Sequence, residues 1–348
     1  MAFHLGVLRF LAERALLERV DRVSTVSGGS LLVGLIYEAN KMTWPASDVF
    51  STSIYGSLRS KLCSSSLQWG ALRQLLKPTN WRFILSRANL LGLALRDEWS
   101  VKAVLSDLPE SPEWSVNGTT AENGKRFRFK AHNIGDYELG YADNCADFPL
   151  SQALAVSAAF PGGFGPLAIE AKRFKWKKRA WGAPAGTEVD IELPYRKLHL
   201  YDGGVYDNLG LEPFFDAGRG KSKIGSTRIF VSDAGAPLSP GFNLGPLNVF
   251  RLKRVADIMS DQAHALRVRT FFTYLQAEPS RGALIYIGDV VPGPDGEDAA
   301  RFARAFPTSL KRLTLAEFDQ LAGHGYRVAK HTSSLYGLVG PASMPAVK

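Results

Sequence analysis

The fold is decided by the stretch RVSTVSGGSLLVGLI, which occupies residues 22–36. The run Arg22–Val26, in which three of the five residues are β-branched, predicts a short strand. The apolar run at residues 31–36 predicts a buried helix. Between them lies a sharp turn at Ser27, Gly28 and Gly29. A strand that passes through a glycine turn into a helix is the repeating unit of an α/β fold, and its turn lies at the carboxyl end of the strand.

A serine on such a turn is suited to acyl transfer. The turn presents the hydroxyl away from the sheet, and the next backbone N–H and the helix dipole favour the negative charge that develops on a substrate carbonyl. Ser27 is therefore a candidate nucleophile, with Gly28 and Gly29 as the elbow that allows close backbone approach. The usual pattern is G-x-S-x-G, and Thr25 occupies its first glycine position, so this turn alone is also compatible with a structural role.

A second glycine turn carries a carboxylate. The run Leu198–Tyr201 predicts a strand, and Asp202, Gly203 and Gly204 follow it directly. Two glycines after a strand allow the backbone to approach another turn closely. An Asp-Gly-Gly sequence by itself is an ordinary turn, so it gains meaning only together with Ser27.

The rest of the chain predicts a single α/β domain over residues 1–348, with a mostly parallel central sheet and helices on both faces. Residues 41–125 are less regular, contain a predicted helix at Trp81–Leu95, and are interpreted as a helical insertion that covers the mouth of the site. Further strands are predicted at 126–131 and 229–232, and further helices at 149–159, 251–275 and 315–331.

Three blocks in order resemble patatin-like phospholipases. They are SGGS at residues 27–30, AVSAAFPGGF at 155–164 and DGGVYDNLG at 202–210. The resemblance covers nearly the whole chain and is weakest over 41–125. It implies a three-layer patatin-like fold and a Ser–Asp dyad, in which Ser27 attacks an ester carbonyl to give an acyl-enzyme and Asp202 is the general base. It implies lipid acyl hydrolysis of the phospholipase A or lysophospholipase type, without a metal or cofactor.

One part of the family pattern is not found at the start of this sequence. The family has a Gly-Gly-Gly-x-Arg/Lys segment before its first helix, and the backbone N–H groups of that segment form the oxyanion hole. Here Phe3–Leu8 resembles that first helix, and only Met1 and Ala2 precede it. We therefore expect the first strand and the oxyanion loop to be missing, and this chain to be a poor catalyst.

Two other functions compete with this one. A hydrolase with a Ser-His-Asp triad would need a histidine beside Ser27. A catalytically impaired family member would bind lipid or a partner without turnover. The candidate histidines, none of which lies in a recognisable motif, are His132, His199, His264, His324 and His331.

Composition limits the partners. The net charge is +9, and the segment Lys172–Trp181 alternates cations with aromatic residues, which favours peripheral contact with an anionic membrane surface. Zinc-finger spacing, basic heptad helices and RNP-type strands are not found, so nucleic acid is not expected. Two distant cysteines predict reduced thiols, with neither disulfide framework nor metal site. With no signal peptide at Met1, we expect a cytoplasmic protein with peripheral membrane contact.

Overall fold

The computed structural model describes residues 1–83, 86–161, 165–184, 186–225, 227–238, 240–242, 245, 248 and 250–337. Two compact units are found within this part of the chain. The first comprises Met1, Glu18–Gly210 and Ser309–Leu313. The second comprises Ala2–Leu17, Leu211–Thr308 and the described residues from Thr314 on. The expected single domain over 1–348 stays a prediction.

The regular elements are numbered in chain order. The helices are α1 (Ala2–Ala12), α2 (Gly28–Ala39), α3 (Ser47–Val49), α4 (Tyr55–Ser64), α5 (Leu67–Gln74), α6 (Arg87–Glu98), α7 (Leu150–Ser157), α8 (Gly204–Asp207), α9 (Phe250–Ala277), α10 (Gly296–Ala305) and α11 (Leu315–Tyr336). The strands are β1 (Arg22–Thr25), β2 (Glu113–Thr120), β3 (Arg126–Phe129), β4 (Ile134–Asp136), β5 (Gly140–Ala142), β6 (Leu167–Glu170), β7 (Trp176–Lys178), β8 (Val189–Ile191), β9 (Lys197–Asp202), β10 (Phe215–Asp216), β11 (Lys221–Ser222), β12 (Ile229–Asp233) and β13 (Gly282–Tyr286).

The expectation of a mostly parallel sheet is wrong. The sheet of the first unit has, in the described residues, nine strands in the order β6-β9-β2-β3-β4-β5-β7-β8, with β1 also paired to β2. Among the strand pairs that the structure describes in this sheet, β1–β2 is parallel and the others are antiparallel. The physical reason is the length of the connections: β2, β3, β4 and β5 are joined by only five, four and three residues. Such short links make hairpins, whereas parallel neighbours need a crossover of about a dozen residues or more.

Strand β2 places the ends of two other strands face to face. Its first half pairs with β1, where Thr25 lies opposite Val116. Its second half pairs with β9, where Asp202 lies opposite Gly118. Both partners lie on the same edge of β2, because β3 occupies the other edge. Since β1 runs parallel to β2 and β9 runs antiparallel, their carboxyl ends point at each other, about 7 Å apart along β2.

The core of the first unit is rich in aromatic residues. Strand β3 buries alternate residues, as its period-2 sequence predicts. Ring contacts run from Phe127 to Phe129 and then through Phe148 and Phe174 to Trp176. Of the basic segment 172–181, therefore, two aromatic side chains belong to the core rather than to the surface. Trp181, by contrast, is 93% exposed.

The region 41–125 is partly helical. It contains α3 to α6, and its carboxyl-terminal part forms β2. The helix expected at Trp81–Leu95 corresponds to a 3₁₀ turn at Pro78–Phe83 followed by α6; residues 84 and 85 lie outside the described part of the chain. Whether this region covers the mouth of the site stays a prediction.

The second unit confirms three sequence predictions. The strand expected at 229–232 is β12, and the helices expected at 251–275 and 315–331 are α9 and α11. Strand β12 pairs in parallel with β13. Among the described helices, none is long and apolar enough to span a membrane.

Helices α1 and α11 pack closely through glycines. A Cβ at Gly6 would overlap the carbonyl oxygen of Ala322, and one at Gly325 would overlap that of Phe3. Gly323, two residues before Gly325 on α11, has as its nearest atom only the end of the flexible Arg327 side chain, at 3.5 Å. Two glycines of one helix therefore differ in the space around them.

We predict that Gly325→Ala destabilises the protein by about 1–3 kcal/mol, because the added methyl group overpacks the helix contact. The matched control Gly323→Ala should be neutral or stabilising by up to about 1 kcal/mol, because alanine favours a helix over glycine. Urea unfolding midpoints measure both. Equal shifts for the two variants would show that the close α1–α11 contact does not exist in solution.

Candidate active site

Ser27 lies on a strained turn between β1 and α2. Its backbone has φ 50° and ψ −125°, in a region that residues with a side chain rarely adopt. The backbone N–H of Ser27 donates to the carbonyl oxygen of Ser157 (3.0 Å) and to its Oγ (3.1 Å). The turn is therefore held by the last residue of α7, and the Ser27 side chain remains partly exposed.

A chain of hydrogen bonds between buried hydroxyl groups lies next to this turn. Ser30 Oγ donates to Thr25 Oγ1 (2.8 Å) and lies 2.7 Å from Ser157 Oγ. Because Ser30 has one hydroxyl proton and gives it to Thr25, Ser157 must be the donor to Ser30. Trp114 Nε1 also donates to Thr25 Oγ1, at 2.9 Å. Thr25, which departs from the usual elbow pattern, is thus an acceptor for two buried donors.

Asp202 ends β9 and is 1% exposed. Its backbone N–H donates to the carbonyl oxygen of Ala159 (3.1 Å), and its carbonyl oxygen accepts from Thr119 Oγ1 (2.8 Å). Carboxylate oxygen Oδ1 accepts from the N–H of Gly204, at 2.7 Å. A Cβ at Gly203 would lie 2.6 Å from the carbonyl oxygen of Asn117, so this close approach of two backbones requires glycine.

Asn117 connects the two turns through β2. Its Nδ2 donates to Ser24 Oγ and to the carbonyl oxygen of Thr25, both at 2.9 Å. Its Oδ1 accepts from Arg126 Nη1 at 2.9 Å. This side chain, which is 1% exposed, therefore fixes the end of β1, while its own backbone lies against Gly203 beside Asp202.

The structure brings the side chains of Ser27 and Asp202 together. Burial raises the pKa of Asp202 to about 7, and the N–H of Gly204 and the neighbouring Ser27 hydroxyl each act to lower it. Within the described residues, Asp202 Oδ2 nevertheless has no hydrogen bond of full geometry. We conclude that the Ser27 hydroxyl and the Asp202 carboxylate are neighbours in the folded chain.

Sequence reasoning found the two turns but missed their supports. Gly28 and Gly29 are the first two residues of α2, Gly203 precedes α8, and Gly204 is the first residue of α8. Ser157 lies within the second family block and could have been found there. Asn117 is in no motif, so no sequence signal points to it. Gly162, Gly163 and Phe164 of the second block lie outside the described residues.

The histidines make contacts of their own. His199 Nδ1 lies 2.7 Å from Glu122 Oε1, and His264 Nε2 lies 2.9 Å from Asp233 Oδ2. His324 Nε2 contacts the carbonyl oxygen of Ile287. No hydrogen bond joins a described histidine to Ser27. In the same part of the chain, no group of three or more His, Cys, Asp or Glu residues is placed to hold a metal ion.

Comparison with known proteins agrees with this geometry at the level of the family. The model of the patatin-like phospholipase family matches residues 1–215. Two similar solved structures are both human GIVD cytosolic phospholipase A2 in complex with methyl γ-linolenyl fluorophosphonate, one of them also with terbium chloride. A search of curated proteins gives no match.

The structural likeness is one of fold. The two structures share 14% and 12% of their residues with this chain, with TM-scores of 0.50 and 0.52. The alignments cover 97% of this chain but only 56% and 57% of the human chains, so this chain spans a little more than half the length of those proteins. The family match covers more than half of the sequence, and on that ground the chain belongs to the patatin-like phospholipase family.

Proposed function

We propose that this protein is a lipid acyl hydrolase of the phospholipase A or lysophospholipase type, with Ser27 as nucleophile and Asp202 as general base. The observation that carries the proposal is a partly exposed serine on a strained turn, beside an almost fully buried carboxylate. Membership of the patatin-like phospholipase family supports the same reaction class.

The proposed reaction has two halves. Ser27 Oγ attacks the ester carbonyl carbon while Asp202 accepts the hydroxyl proton, and that proton then passes to the departing alcohol as the carbon–oxygen bond breaks. A water molecule next attacks the acyl-enzyme and gives its proton to Asp202. The fatty acid leaves as the proton returns to Ser27 Oγ.

The negative charge of the intermediate needs hydrogen-bond donors. Gly28 is the first residue of α2, and the first N–H groups of a helix have no acceptor within it. Its N–H and the helix dipole can therefore support an oxyanion near Ser27. Strain at Ser27 serves the same end, because a fixed turn holds the hydroxyl and this donor in one orientation.

The buried carboxylate is adapted to its proposed role. An ordinary aspartate has a pKa near 4 and is a weak base at neutral pH. Desolvation brings the pKa of Asp202 to about 7, which favours the transfer of a proton to and from this group near physiological pH.

A Ser-His-Asp triad receives no support from the histidine contacts. A triad needs a histidine hydrogen-bonded to the serine, and His199, the one closest in sequence to Asp202, is paired with Glu122 instead. The dyad therefore accounts for the geometry with fewer assumptions.

The lipid substrate is proposed to reach the protein at a membrane. On the segment 172–181, Lys172, Lys175 and Lys178 are exposed, and Trp181 extends fully into solvent. An exposed tryptophan among lysines suits the interface of an anionic bilayer. We propose that this segment makes peripheral contact there, in the cytoplasm.

We predict that Ser27→Ala lowers hydrolysis of a soluble aryl ester by roughly 10³-fold or more, because the nucleophile is lost. A lipid-like fluorophosphonate, of the kind bound by the human phospholipase A2, should label the parent protein once and the variant not at all, as measured by intact mass. The matched control is Ser64→Ala, an exposed serine at the end of α4, which should react as the parent does. Undiminished hydrolysis by Ser27→Ala would reject the proposed nucleophile.

We predict that kcat/KM rises with pH through a midpoint of about 7, because only the ionised Asp202 accepts the serine proton. Below this midpoint the rate should fall about tenfold per pH unit. The measurement is a pH–rate profile from pH 5 to 9 on an ester that does not itself titrate there. Asp202→Asn should give a low rate without this limb. A parent profile that stays flat down to pH 5 would exclude Asp202 as the base.

A further inference from the structure

Helix α9 carries an apolar stripe on its solvent side. Five residues at spacings of three, four, four and three lie along one helix face: Leu252, Val255, Met259, Ala263 and Leu266. The four large side chains among them are 53–78% exposed. We call these five residues the α9 stripe.

The stripe is not the face by which α9 packs into its own unit. Phe271 and Leu275 are buried, and Phe271 contacts Phe215 edge to face, with ring centroids 5.3 Å apart. On a helix of 3.6 residues per turn these two residues point away from the stripe. Helix α9 therefore has two apolar faces, whereas a surface helix of a globular protein normally has one, turned to the core.

Arginines border the stripe, and the face opposite to it carries charges of both signs, including Lys253 and Arg254. Arg251 and Arg269 lie along one side of it and Arg267 along the other, as helix periodicity places them. The carboxylates Asp257 and Asp261 fall on the opposite face, and Asp257 is paired there with Lys253 at 2.6 Å. An apolar face bordered by arginines, with acidic residues turned away from it, is typical of helices that lie in the interface of a membrane.

A cleft adjoins one end of the stripe. It has a volume of about 580 Å³ and is lined by Gly241, Phe242, Arg251, Arg254, Val255 and Ile258. The guanidinium carbon of Arg251 lies 5.5 Å from the ring centroid of Phe242. The cleft is thus lined by two arginines and by apolar residues, and guanidinium groups bind phosphates through paired hydrogen bonds.

We propose that α9 is a docking helix for anionic lipid bilayers, with the α9 stripe buried in the interface and the flanking arginines on lipid phosphates. A second copy of this chain fits this face less well, because a stripe paired with itself would bring the same rows of arginines together. The proposal extends the proposed function, since an enzyme acting on membrane lipids must hold its substrate surface.

The test measures vesicle binding by the Ser27→Ala protein, which lacks the proposed nucleophile, over a time in which the lipid is shown to stay intact. The probes are sucrose-loaded vesicles of phosphatidylcholine alone and of equimolar phosphatidylcholine and phosphatidylglycerol, separated by sedimentation. The variant Leu252→Gln/Met259→Gln/Leu266→Gln should lower partitioning onto the anionic vesicles roughly tenfold or more, because three inserted side chains become polar. Since all three are exposed, its thermal midpoint should match that of the parent.

The matched control changes three exposed leucines elsewhere. Leu76→Gln/Leu315→Gln/Leu335→Gln removes side chains that are 54–81% exposed, and it should bind vesicles as the parent does. Replacement of Arg251, Arg267 and Arg269 by Gln should weaken binding and reduce its dependence on salt.

Three results would overturn the proposal. They are undiminished binding by the stripe variant, equal binding of the parent to vesicles of phosphatidylcholine alone, and a stripe variant that changes only the oligomeric state measured by light scattering. The test is independent of catalysis. If Ser27 proves not to be the nucleophile but the stripe variant loses vesicle binding, the proposed reaction fails and the docking helix stands.

Discussion

The site depends on one edge of β2, along which the carboxyl ends of β1 and β9 point towards each other. Strand β1 runs parallel to β2 and β9 runs antiparallel to it. Their last residues, Thr25 and Asp202, therefore lie opposite β2 positions 116 and 118, which are two residues apart. Ser27 lies between β1 and α2, and Asp202 ends β9 just before α8. The juxtaposition of Ser27 and Asp202 is thus a consequence of strand pairing, and not of any contact between their side chains.

Two unfavourable features meet at this point, and the surrounding network offsets them. A positive φ at Ser27 costs on the order of 1–3 kcal/mol, and a desolvated carboxylate disfavours its own ionised form. Two nearby carbonyl groups hold the backbones of these turns: that of Ser157, the last residue of α7, accepts from Ser27, and that of Ala159, two residues after the helix, accepts from Asp202. The end of α7 and the residues that follow it therefore contact both turns.

The sequence contains the local part of this arrangement and little of the rest. Both glycine turns follow from patterns within ten or so residues, and so do the strands β1, β3, β9 and β12 and the long helices α9 and α11. The sheet direction did not, because the sequence prediction did not include β2, β4 or β5, and the short links that make these strands antiparallel neighbours are therefore evident only in the structure. The supports of the site are also non-local: Asn117 bonds to residues about ninety positions away, and a pattern in one segment cannot show which segment lies opposite.

The sequence of α9 also leaves one feature undetermined, namely which face of the helix is buried. Its periodicity predicts an amphipathic helix, but with apolar residues on two faces the sequence alone cannot tell which face is buried. The aromatic contact between Phe271 and Phe215 decides it and leaves the α9 stripe exposed. An exposed apolar stripe bordered by arginines would be a liability in water. In a membrane interface the same stripe would be removed from water, and its burial there would favour binding of the protein to the bilayer.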